Sequence, residues 1–145
     1  MGCGQLQLLR ATRLQWLPDE SLFSLASRYH QISGNRASAK TCQALFGHRQ
    51  RGAAHDFPSR IDAFVETTEG ALGDTNEIVR ERTILPCFLP FHRPVMQAYA
   101  IQALAGDGIG PLKFQLGLSA SGFGSLHTLK ACPACLASDL KAFRS

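Results

Sequence analysis

The sequence predicts a mostly α-helical protein of short helices, with a helix-turn-helix-like pair near the N-terminus and a small irregular, zinc-knuckle-like segment at the C-terminus. Three observations predict this fold class. Apolar residues recur at helical spacing in several short stretches, Gly and Pro separate those stretches, and Cys132 and Cys135 form a C-x-x-C pair. The boundaries suggest an arm over 1–15, a helical domain over 16–105, and a Gly-rich loop with a partial zinc module over 106–145.

Composition argues for a folded protein in a reducing compartment. The 145 residues are 45% apolar and 18% charged, and the charged share lies below the usual value of about 25%. The net charge of +4 is compatible with nucleic acid but does not identify a partner. Five cysteines make a poor disulfide framework, so Cys3, Cys42 and Cys87 are expected to be ordinary small apolar residues. No secretory signal or membrane span is predicted.

The first predicted helix lies in "LPDESLFSLASRYHQISGN". Pro18 and Asp19 form its start signal, with Glu20 placing negative charge in the first turn. Gly34 and Asn35 end it. Four apolar residues share one face by their spacing: Leu22, Leu25, Ala26 and Tyr29.

A second helix is predicted in "ASAKTCQALFG", which ends at Gly47. Cys42, Leu45 and Phe46 are expected to face inward. Two helices joined by a short Gly turn have the outline of a helix-turn-helix. The polar positions available for reading bases are Lys40, Thr41 and Gln43.

Three more helices are predicted between residues 59 and 106. Ser59 or Asp62 caps the third, in "SRIDAFVETTEG", and Asp74 with Glu77 starts the fourth, in "DTNEIVRERTIL". Prolines make "LPCFLPFHRP" an irregular connector. The fifth is "VMQAYAIQALAG", followed by a Gly-rich loop with a short extended piece over 112–118. Its expected repeat is Val95, Met96, Tyr99, Ala100 and Ala103.

The Cys132–Cys135 pair has the spacing of one edge of a structural zinc site, which needs four ligands. His127 is a possible local ligand, and Cys87 or His92 a possible fourth. A redox couple is an alternative, although that motif follows a strand and here follows Gly-rich sequence. A further alternative is a pair of unpaired thiols.

Six basic residues are candidates for contacts with phosphate groups or a partner, the alternative being a solvated surface. For Lys40, Arg49, Arg51 and Arg60 the expected role is phosphate contact, and the sequence around them does not support stacking on single strands. No nucleophile elbow, phosphate loop or zincin motif is present in the sequence. The candidates are Arg28, Arg36, Lys40, Arg49, Arg51 and Arg60.

Five segments occur in the order found in the TniQ/TnsD family of bacterial transposon target-selection proteins. They are "LPDESLFSLASRYHQISGN", "LFG", "FPSRIDAF", "RTILPCFLPF" and "LHTLKACPACLASDL". On these segments the chain resembles the N-terminal part of that family, from about Trp16 to Asp139. The sequence departs from the family at Arg82, where His is common, and at Ser138, where an acidic residue is usual.

The resemblance implies a non-catalytic adaptor that binds double-stranded target DNA or a guide-RNA effector complex and recruits the ATPase regulator of a transposase. It also implies Zn²⁺, bound by the cysteine pair and a downstream Cys-x-x-His that this sequence does not contain. We therefore expect a piece of a longer protein or a truncated product, located in the bacterial cytoplasm at the nucleoid. A small helix-turn-helix transcription regulator with a zinc-binding tail is the main alternative, and a thiol-dependent enzyme is a third.

Overall fold

The computed structural model describes residues 14–118 and 132–142, and within them the prediction of a mostly helical fold is confirmed. These residues contain helices and turns but no strand. Two 3-10 turns, Leu85–Cys87 and Leu89–Phe91, lie between α4 and α5. The α-helices are α1 (Leu22–Ile32), α2 (Ser38–Phe46), α3 (Ile61–Thr67), α4 (Thr75–Glu81), α5 (Pro94–Ala105), α6 (Leu112–Gln115) and α7 (Pro133–Ala142).

Helix α1 begins later than the sequence suggested. Its N-cap is Ser21, whose hydroxyl accepts a hydrogen bond from the Ser24 N–H at 3.2 Å. Glu20 therefore precedes the helix instead of lying in its first turn. The predicted inner face is confirmed, because Leu22, Leu25, Ala26 and Tyr29 are all buried.

Helix α2 ends at Gly47 as predicted, since that residue adopts a left-handed φ of 67°. Leu45 and Phe46 are buried, but Cys42 is only half-buried. Thr41 takes the inward position instead, and its burial removes it from the residues available to read bases. The Phe46 ring stacks on Phe64 of α3 with 5.4 Å between ring centroids, which joins α2 to the rest of the core.

The predicted cap of α3 is wrong, whereas that of α4 is confirmed. Arg60 is the N-cap residue of α3, with a φ of 58° and no side-chain cap. Ser59 is buried with no hydrogen-bond partner for its hydroxyl, and Asp62 lies inside the first turn. Asp74 caps α4 by accepting the Glu77 N–H at 2.9 Å.

Three predictions in the second half of the chain are corrected. Val95 faces outward, because Ala100, Ala103 and Leu104 form the buried face of α5. Part of the expected extended piece over 112–118 is α6, whose Leu112 is fully buried. The segment after Cys132 is helical instead of irregular, since Pro at the first position fixes a helical φ and costs no hydrogen bond there.

The segment before α1 closes the core at the end formed by α4. The Trp16 indole N–H donates to the Leu72 carbonyl at 2.7 Å. The Arg82 guanidinium lies 4.9 Å from the centre of the Trp16 ring. Arg82 thus has a packing role.

Candidate nucleic-acid interface

A surface groove runs along α2 and the loop that follows it. Asn35, Lys40, Gln43 and Arg49 line one concavity of about 540 Å³, and a neighbouring concavity shares Gln43 and Arg49. We call this surface the basic groove. The neighbouring concavity is also lined by Ala39 near the start of α2 and by Gly47, His48 and Gln50 just after its end.

Thr41 fixes the position of the groove relative to α1. Its buried hydroxyl accepts a hydrogen bond from the Asn35 side-chain amide at 3.1 Å and lies 2.7 Å from Nδ1 of His30. One hydroxyl thus connects the last turn of α1, the connecting turn and α2. The connecting turn also needs Gly34, which adopts a left-handed φ of 66°.

Two cations of the basic groove are available to a ligand. Lys40 and Arg49 are exposed, and neither forms an ion pair with a carboxylate among the described residues. Arg36, which lies in the turn before α2, is also exposed and unpaired within that part of the chain. Cations and amides arranged around a helix can contact phosphate oxygens, while side-chain amides such as Gln43 can also reach base edges.

Arg28 occupies a different environment, because its guanidinium is held by other residues of the protein. It pairs with Glu20 at 2.7 Å and donates to the Gln15 carbonyl at 2.6 Å. Burial would raise the pKa of the Glu20 carboxyl, but hydrogen bonds from Arg28, the Leu17 N–H and Ser24 hold that pKa below its ordinary value. The pair connects the segment before α1 to α1 itself.

Arg51 and Arg60 both engage Asp107, in the loop after α5. Arg60 lies 2.7 Å and Arg51 3.4 Å from the Asp107 carboxylate. Arg60 also donates through Nε to the Phe46 carbonyl at 2.8 Å, and its N–H donates to Gly106. Burial would raise the pKa of Asp107, but Arg60 and Arg51 together lower it.

Charge is separated along the chain, a feature that the sequence analysis did not use. All six candidate cations lie between residues 28 and 60, where Asp56 is the only acidic residue. The stretch 62–81 is acidic, with Arg80 as its only basic residue, and all of its carboxylates are exposed. They are Asp62, Glu66, Glu69, Asp74, Glu77 and Glu81. A count of charges in a sliding window would have found this contrast.

The cysteine pair lies at the start of α7. Hydrogen bonds from the Cys135 N–H, the Cys135 thiol and the Ala134 N–H lower the pKa of the exposed Cys132 thiol, which favours the thiolate that binds metals. Within residues 14–118 and 132–142 no three potential metal ligands come together. Cys87 is exposed and His92 half-buried at the 3-10 turns, whereas His127 lies outside the described residues. The described residues thus supply a pair of suitable zinc ligands and no complete site.

A model of the TniQ family matches residues 11–144, nearly the whole chain. No curated protein matches the chain. In the part of the chain that the structure describes, no helix has the length and apolar character to cross a membrane.

Proposed function

Because the chain belongs to the TniQ family, which is associated with target selection in transposition, we propose that it is a non-catalytic adaptor that binds double-stranded target DNA through the basic groove. In this proposal it also recruits the ATPase regulator of the transposase. Lys40 and Arg49 contact phosphate groups, and Gln43 lies between them facing the bases. A guide-RNA effector complex is the alternative ligand of the same surface.

The observation that carries the proposal is the pair of uncompensated cations formed by Lys40 on α2 and Arg49 in the loop after it. Arg28 and Arg60 are held by Glu20, Asp107 and backbone carbonyls, so they support the helices beside the groove. Lys40 and Arg49 have no such partners among the described residues and share one concavity with two amide side chains. Such a surface favours a polyanion whose phosphates release counterions on binding.

The test is a salt series of DNA binding, followed by the fluorescence anisotropy of a labelled 20-base-pair duplex. The groove variant is Lys40→Gln/Arg49→Gln. A control of equal net charge is Arg80→Gln/Lys141→Gln, since both residues are exposed and lie outside the groove. We expect the groove variant to lose about tenfold in affinity near 0.1 M salt and to lower the slope of log K against log salt by about two.

The control variant should bind as the natural sequence does, apart from a small long-range charge effect. Equal losses of affinity in both variants would mean that the groove contributes to binding only through net charge. A folded protein that binds neither duplex DNA nor its cognate ATPase regulator would contradict the adaptor proposal. Binding confined to a single short sequence at its own promoter would instead support the transcription-regulator alternative.

We also propose that Cys132 and Cys135 bind Zn²⁺ together with ligands outside the described residues. The lowered pKa of the Cys132 thiol supports this, because a metal ligand must be the thiolate. Zinc would fix the start of α7 and has no part in a reaction. Alkylation of both thiols that zinc suppresses would assign them to metal binding and remove the thiol-dependent enzyme as an alternative.

A further inference from the structure

The outer face of α5 is apolar and is left uncovered by the described residues. Phe91, in the second 3-10 turn, and Val95, in the first turn of α5, are each 83% exposed. Pro94 and Ala98 beside them are also exposed. The opposite face of α5 is already buried in the core, so α5 carries apolar residues on both faces. Helices of that kind are typically covered on both sides.

This outer face is preformed. The Gln97 side-chain amide donates to the Leu89 carbonyl at 2.8 Å and to the His92 carbonyl at 2.9 Å. These two bonds hold the second 3-10 turn against the start of α5. Phe91 and Val95 therefore present a fixed apolar surface, and a partner would bind it without first ordering the backbone.

Helix α7 also has apolar residues that are left exposed. All ten of its residues are exposed, including Leu136 at 51% and Leu140 at 53%. Leu136 and Leu140 are four residues apart and share one face. A helix of this length is marginal in water without tertiary packing, so α7 also requires a surface that it does not contact in the described structure.

The charges on the two faces are complementary. Arg93 is the N-cap residue of α5, whose first turn contains no acidic residue. A cation at that end is unfavourable for the helix dipole. Asp139 is the acidic residue of α7 and lies beside Leu136 and Leu140 on the same face. A carboxylate placed against Arg93 would offset its charge.

We propose that α7 folds back onto the outer face of α5, with Leu136 and Leu140 against Phe91 and Val95 and with Asp139 facing Arg93. Residues 119–131 connect the two parts. A connection of that length reaches about 40 Å when extended, enough to cross a domain of this size. The family match supports one continuous unit, since it runs unbroken over residues 11–144.

The first test is hydrogen–deuterium exchange at the backbone amides of 133–142 in the full chain. We expect protected amides, and exchange about tenfold faster in Phe91→Ser/Val95→Ser. Ile32→Ser is the matched control, because Ile32 is 54% exposed at the far end of α1. That control should leave exchange in α7 unchanged.

The second test separates this contact from a general loss of folding. Arg93→Glu and Asp139→Lys should each speed exchange in α7, and the double reversal should restore the slow rate. Failure of the double reversal to restore protection would overturn the proposed pairing. Unprotected amides in the natural sequence would overturn the docking. Protection that appears only at concentrations where light scattering detects a dimer would assign the face to a second copy and overturn the in-chain contact.

Discussion

Gly52 packs directly against an aromatic side chain of the core. A Cβ added at Gly52 would lie 2.3 Å from Cγ of Phe46, and its φ of 127° is unfavourable for other residues. We expect Gly52→Ala to lower the free energy of unfolding by about 3 kcal/mol, measured by chemical denaturation. Gly34→Ala is the control. Gly34 also has a left-handed φ, of 66°, but no atom lies within 4 Å of the position of an added Cβ, so this substitution should cost about 1 kcal/mol. Equal losses would contradict the packing argument.

The Glu20 carboxylate links pH to stability. Its side chain is 2% exposed and bonded to Arg28, and the pKa of this carboxyl is lowered in the folded protein. A lowered pKa stabilises the fold above the unfolded value of about 4.3, and that stability is lost as the pH falls through the folded pKa. We expect Glu20→Gln to lose about 2 kcal/mol at pH 7 and to show a weaker loss of stability on acidification.

The measurement is the free energy of unfolding from urea titrations at several pH values between 3 and 7. Glu77→Gln is a suitable control because Glu77 is exposed on α4. It should change the curve little. A variant at Glu20 that retains the full acid dependence would assign that dependence to other carboxylates, Asp107 among them.

Among individual residues, the sequence predicted the burial of those whose position depends on nearby spacing. It missed the contacts of residues whose partners are distant in the sequence. Tyr29 was correctly placed in the core because its spacing is local. Arg60 was treated as a surface cation because its carboxylate, Asp107, is 47 residues away. Local spacing cannot bring those two residues together, so only the folded chain shows that Arg60 supports three elements.

Among the elements, the first four helices follow from periodicity, and capping residues predicted the start of α4 alone. Helix α5 was located correctly and most of its predicted inner face packs in the core, but Val95 was wrongly assigned to that face, because apolar residues on both sides give little contrast to orient the helix. Helices α6 and α7 were missed, since the Gly-rich sequence around residue 117 and the C-x-x-C pair both favour irregular structure. Two residues in the sequence could have corrected this: Leu112, an apolar residue that the structure shows to be buried, and Pro133, which is favoured at the first position of a helix.

The start of α7 offers a prediction at the scale of one element. We expect purified protein to retain zinc, and Cys132→Ser/Cys135→Ser to lose it, as measured by metal content per chain. Cys87→Ser is the control, because Cys87 lies at the first 3-10 turn and does not belong to the C-x-x-C pair. In zinc-free protein Cys132 should react with iodoacetamide faster than Cys87, since its pKa is lowered, and zinc should slow that reaction.

Zinc that is lost with Cys87→Ser would instead make Cys87 a ligand of the same ion. Protein that never binds zinc would contradict the cofactor proposal. It would leave the docking of α7 on α5 to be decided by hydrogen exchange alone, because that docking rests on apolar faces and the Arg93–Asp139 pair.

For the whole molecule, the modest net charge conceals a strong separation of charge. The charges of the basic stretch 28–60 and of the acidic stretch 62–81 cancel, and the total of +4 comes from the rest of the sequence. Composition alone therefore could not decide for or against nucleic acid. Family membership could be predicted from the ordered segments, and the family match confirms it. The sequence could not predict which cations remain available to a ligand, because that depends on how the chain folds.

Asp107 allows a prediction about the DNA-binding surface as a whole. Its carboxylate engages both Arg51 and Arg60, so Asp107→Asn should release two cations next to the basic groove. We expect about threefold tighter binding to duplex DNA and a steeper salt dependence by about one, measured by anisotropy. Asp74→Asn removes an equal charge and keeps a good N-cap. A similar gain in that control would contradict a local effect.

An anion that already occupies these arginines makes DNA binding there an exchange, in which a phosphate must displace a carboxylate. Measured affinity would then report the difference between two similar interactions, and each would be screened by salt. The protein would hold weakly to arbitrary DNA at this edge and would release it readily. A protein that has to search many sites before one is chosen would benefit from that internal competitor.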